Sequence, residues 1–114
     1  MVATVLTTYP EEGIVLSDWI GPLANAEAGN ANKLSQYPTK SVQVTGTFGA
    51  AGSVAIEGSQ DGTTWGALRD STGTLIAITA NTMIRDVLEN TAFIRPRVTA
   101  GDGTTALRVM VVCL

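Results

Sequence analysis

The chain has 114 residues, 45% of them hydrophobic and only 15% charged. That is one domain's length, with enough apolar residues to bury a core without metal or disulfide staples. Seven basic residues against ten acidic ones give a net charge of −3, and there is no His. Nucleic-acid binding rests on cationic excess, which is missing. The absence of His removes the commonest general base, zinc ligand and neutral-pH switch. Charged residues fall short of the usual ~25%; Thr, Ser, Ala, Asn and Gly fill the gap. Contact with neighbouring subunits would account for that surface, and so would a merely Thr-rich exterior.

In chain order, the start Met1-Val2-Ala3-Thr4 has no basic region followed by an apolar run, so no secretory signal is expected. No apolar run reaches the ~18 residues that would cross a bilayer. A product made in the cytoplasm, with no membrane partner, is expected. Residues 1–39 read as an N-terminal arm with the first strands. Val2 to Thr8 is a strand or an arm, and Ile14 to Ile20 a strand. Tyr9-Pro10, Gly21-Pro22 and Tyr37-Pro38 punctuate this part. Ala24 to Lys33 has helix-friendly Ala and Glu, but its Asn and Gly residues favour an extended loop. A long segment of this kind can lie on a neighbouring subunit.

Residues 40–114 read as the core of a β-sandwich. Val42, Val44, Gly46 and Phe48 alternate with Ser41, Gln43, Thr45 and Thr47, which is a half-buried strand. Gly49 to Gly52 turns, and Val54, Ile56 and Gly58 form the next inward face. Gln60-Asp61-Gly62-Thr63 is a tight turn in which Gly supplies the positive φ. Thr64 to Arg69 is a strand carrying Trp65, expected to cap the core beneath the turn. Asp70 to Gly73 turns again. Leu75, Ile76 and Ile78 make another strand; Thr82 to Leu88 fits a strand or one helical turn, and its strand neighbours favour a strand; Thr91 to Thr99 and Thr105 to Leu114 are strands. In the last, Leu107, Val109, Val111 and Cys113 share one face while Met110 and Val112 are apolar on the other. Cover on both sides is therefore expected, with Cys113 a buried, reduced thiol. The lone Cys113 cannot form a disulfide within the chain.

Catalytic arrangements built on His are impossible, and no phosphate-binding Gly-Lys-Ser/Thr loop occurs. Glu11 and Glu12 look solvated in Pro-Glu-Glu-Gly. Glu57, Asp61, Asp70, Asp86, Glu89 and Asp102 fall mostly at strand ends and turns. Asp61-Gly62 and Asp102-Gly103 could suggest calcium, but the acidic spacing of a calcium loop is missing and turn chemistry explains both pairs. No catalytic residue, metal or cofactor is expected. In Arg95-Pro96-Arg97, Pro belongs on an edge strand or at a bulge. Ile94, Pro96 and Val98 face one way, and Arg95 and Arg97 face the other, where a partner's carboxylates could meet them. Trp19 is open between core and interface.

Val42-Gln43-Val44-Thr45-Gly46-Thr47-Phe48-Gly49, Ser53 through Trp65, and Phe93 through Thr105 together resemble head decoration, or cement, proteins of tailed bacteriophages. The resemblance covers residues 40–114 and rests on pattern and turn residues. It implies a sandwich or jelly-roll protein on the outer capsid surface that clamps neighbouring major capsid subunits, as a homotrimer. Tyr9, Trp19, Tyr37, Arg95 and Arg97 are the candidate interface residues. Ser59 through Trp65 is also similar to a turn of galactose-binding, discoidin-like sandwiches, so a carbohydrate-binding module is the alternative. A tail or head-fibre base domain is a third; a complete small protein, opened by Met1, is the expectation against it.

Overall fold

Alternating apolar and polar residues at a period of two give strands with one buried face, and this chain pairs eight of them. The computed structural model describes residues 5–11 and 13–114. Its strands are β1 (Val5–Glu11), β2 (Ile14–Leu23), β3 (Lys40–Thr47), β4 (Ser53–Ser59), β5 (Gly66–Ala67), β6 (Ile84–Asp86), β7 (Phe93–Ala100) and β8 (Ala106–Cys113). They form an antiparallel β-sandwich. One sheet has the order β1-β2-β8-β3-β6 and the other β5-β4-β7. Residues 2–4 of the strand expected at Val2–Thr8, and Glu12, lie outside the described residues.

The pairing has a simple origin. The segment 28–32 runs beside β7, bridging Ala28 to Arg97 and Asn32 to Ile94. Count it as a strand and set β1 aside. First then pairs with last (β2 and β8), second with seventh (28–32 and β7), third with sixth (β3 and β6), and fourth with fifth (β4 and β5). This is one long hairpin bent at the turn around Asp61 and rolled into two layers, the arrangement of a jelly roll.

Trp19, Leu23, Leu34, Ile56, Ile78, Ile94 and Leu107 are fully buried between the sheets, with the inward valines of β3, β4, β7 and β8. Each such side chain stabilises the fold by about 1.5–3 kcal/mol relative to exposure. Strand β2 supplies Val15, Trp19 and Leu23 to this core. The strand expected at Ile14 to Ile20 is β2, which continues to Leu23 and belongs to the sandwich rather than to an arm. Trp19 in particular is interior, at 0% exposure, and its indole N–H donates to the Asn30 carbonyl at 2.8 Å. Offering it as an interface residue was incorrect, because β2 runs inside the larger sheet between β1 and β8.

Three expected strands shrink, Thr82–Leu88 to β6 alone. Thr64–Arg69 keeps only β5, and Leu75–Ile78 keeps isolated bridges, Arg69 to Leu75 and Val54 to Ile78. For the latter two the cause is local turn chemistry. Asp70 accepts hydrogen bonds from the Thr72 and Thr74 amides at 3.0 and 3.2 Å, which bends the chain between the two segments. On its side away from β4, strand β7 meets only the bridged 28–32 segment, so Pro96 sits where a residue without an N–H is tolerated. Its carbonyl accepts from Gly29 at 2.9 Å.

Candidate functional site

On the larger sheet, side chains leave alternately toward the core and away from it. Leu16, Val112 and Ser41 are direct cross-strand neighbours on the outer side. Asp18, Met110, Gln43 and Ile84 form the next row. Between the rows lies a groove of about 330 Å³ lined by Leu16, Ser41, Gln43, Ile84, Met110 and Val112. Among the described residues no layer covers it: Ile84 is 57% exposed and Val112 38%. The expectation that β8 is covered on both sides is thus corrected. Its inner face is sealed, with Leu107, Val109, Val111 and Cys113 at 0% exposure, and its outer face is open.

The polar groups around the groove are satisfied from within. The Gln43 amide donates to the Asn81 carbonyl at 2.9 Å. Arg108 grips Asp18 through two hydrogen bonds of 2.9 and 2.6 Å, which neutralises a carboxylate only 3% exposed as a residue. The surface offers apolar contact without an unpaired charge at its centre. Its chemistry is that of docking another apolar surface.

The remaining acidic groups serve turns. The Asp61 carboxylate accepts from the Thr63 and Thr64 amides, each at 2.8 Å, and from the Ser59 hydroxyl at 2.9 Å. Those donors hold its pKa down at about 2. Asp102 accepts from the Thr104 hydroxyl and amide and from the Ala50 amide. These bonds keep its pKa below the ordinary carboxylate range. Among the described residues, no three or more Cys, Asp or Glu converge as metal ligands.

A buried polar cluster sits at the far end of β3. Lys40 is 3% exposed, its ammonium donates to Asn90 at 2.6 Å, and its cross-strand neighbour is Cys113. Burial lowers the Lys40 pKa, opposed by the charge of Cys113. Burial also pushes the Cys113 thiol up to about 11. Such a thiol is a core side chain rather than a nucleophile.

The five expected interface residues do not gather at the groove. Tyr9 stands on β1, 71% exposed. Tyr37 is half-buried against the core, and Trp19 lies inside it. Arg95 is corrected to an intrachain partner: it binds Glu57 at 2.9 Å and its guanidinium lies 4.1 Å over the Trp65 ring. Trp65 consequently caps nothing; it is half-buried on the outer side of the smaller sheet. Arg97 is exposed there. The groove residues Leu16, Ile84, Met110 and Val112 were missed as a site. The available sign was apolar side chains at both parities of β8.

No protein-family model matches the sequence, and no relative among curated proteins does. Among solved structures, the fold is similar to a cupin domain from Bordetella pertussis Tohama I. The identity is 13% and the TM-score 0.30, with 88% of this chain and 98% of that chain covered. A likeness at that level carries no information on ligands or chemistry.

Proposed function

We propose that the protein is a structural binding module without catalytic activity: a head decoration protein of a tailed bacteriophage. In this reading it is made in the host cytoplasm and binds the outer surface of the head as a homotrimer. There it clamps neighbouring major capsid subunits. The observation that carries the reading is the open apolar groove on the larger sheet, presented by a sandwich whose described residues leave it uncovered. The resemblance of residues 40–114 to decoration proteins supplies the partner. The low charge of the chain suits a surface that packs against others. Affinity at each contact can be modest, because copies held on one lattice gain from effective concentration. Binding only the assembled shell stabilises it by mass action.

The test is co-sedimentation with purified heads, followed by heating the heads and measuring genome release. The wild-type chain should sediment with heads and raise the release temperature. Val112→Asp and Ile84→Asp place a carboxylate in the groove at exposed positions. They should leave the fold intact and weaken binding by about 10-fold or more, the scale of losing a buried apolar contact. A wild-type chain that ignores heads and binds a glycan would replace this reading with the carbohydrate one.

A further inference from the structure

The smaller sheet has an outer face of opposite character. The chain contains seven Lys and Arg. Arg69, Arg95 and Arg108 are ion-paired with Glu89, Glu57 and Asp18. Lys40 is buried on Asn90, and Arg85 donates to the Ile84 carbonyl and lies within the field of Asp70. Lys33 and Arg97 remain. Both are exposed, and neither has a carboxylate partner among the described residues.

Both free cations stand on one strip. Phe93, Arg95 and Arg97 occupy alternate positions of β7 and leave the same side of the sheet, about 6.6 Å apart at each step. The Lys33 ammonium lies 5.5 Å over the Phe93 ring. Arg97 has small neighbours across both its bridges, Ala28 and Ala55, which leave its side chain exposed. Between them Arg95 is fixed by Glu57 and stacked on Trp65. Asp61, at the Phe93 end, spends its carboxylate on its own turn. The result is two unpaired cations about 13 Å apart, with a neutralised, aromatic-backed step between them.

We propose that this strip docks an extended acidic segment of a protein partner, with carboxylates four residues apart meeting Lys33 and Arg97. An extended chain repeats its side chains on one face at the same two-residue step, so residues i and i+4 reach both cations while i+2 lies over Arg95 and Trp65. Net charge −3 disfavours a phosphate backbone, whose binding needs cationic excess. The inference concerns the other face of the sandwich from the groove and does not depend on head binding.

The test is an NMR titration of the isotope-labelled full chain at low salt. The probe is a short peptide containing Asp-Thr-Ala-Thr-Asp; its control has both Asp replaced by Asn. Shifts confined to β7, Lys33 and the Trp65 indole N–H are expected, and Trp19 should stay silent because it is buried. Raising the salt to physiological strength, or the double substitution Lys33→Glu with Arg97→Glu, should weaken binding by about 10-fold. Equal binding of the Asn peptide overturns the proposal, as does unchanged binding by the charge-reversed protein. So does tighter binding of a single-stranded oligonucleotide of equal charge, or no binding of the acidic peptide at all.

Discussion

Gly29 shows how one residue can hold two elements at their distance. A Cβ built there would lie 2.4 Å from Trp19 Cδ1 and 2.9 Å from Pro96 Cγ. The indole cannot retreat without giving up its hydrogen bond to Asn30. Gly29→Ala should therefore destabilise the protein by about 1–3 kcal/mol through overpacking, read as a lower midpoint in chemical denaturation. The same scale decides the behaviour of Cys113. Its folded pKa of about 11 lies above its ordinary value of 9.0. Below pH ~9 the thiol is protonated in both states and its contribution to stability is complete. Between the two values the unfolded chain ionises first, so this contribution falls as pH rises toward 11. The buried Lys40 acts in the opposite sense, because its pKa is lowered and stability rises with pH while the folded lysine gives up its proton before the unfolded one does. Comparing wild type with Cys113→Ala from pH 8 to 11 isolates the thiol. The wild type should lose stability more steeply, and at neutral pH a thiol reagent should label it only on unfolding.

At the scale of elements, β3, β4 and β7 were legible because each alternates and ends in a Gly or Asp turn, and β8 because the Gly101-Asp102-Gly103 turn precedes a run of apolar residues. The inward trio Ile94, Pro96 and Val98 is buried as its parity required. The 28–32 segment was not legible as a sheet partner. Its residues are small because Trp19 and β7 crowd it, and small residues carry no period-two pattern. Trp65 was misplaced because apolarity alone does not distinguish a core ring from one that backs an arginine. The groove was misread for a related reason. Two apolar faces on β8 show that both want cover, but not whether the cover belongs to the same chain. The position of β2 also separates two truncations. Among the described residues, removing 1–11 takes away only the edge strand β1, and the remaining eight-element roll should fold. Removing residues 1–20 deletes Val15 and Trp19 from the core, and burial of that size is worth several kcal/mol. The longer truncation should give an aggregated or unfolded chain by circular dichroism, and the shorter one a cooperative thermal transition.

For the whole molecule, the two sheets present different chemistry to opposite sides: an apolar groove on one, a cationic strip on the other. A body of this kind suits contact with two unlike surfaces at once. The roll has another consequence, for the moment of synthesis. Strand β8 is the last to leave the ribosome, yet it lies between β2 and β3. Until Cys113 clears the exit tunnel, those two strands have an empty lane between them. Each has unpaired backbone groups along that lane and an apolar inner edge. The larger sheet cannot close piecemeal from the N-terminus, as chains of locally paired units can. Folding of the larger sheet waits for β8, and the nascent form that lacks it is the one that needs shelter from its neighbours.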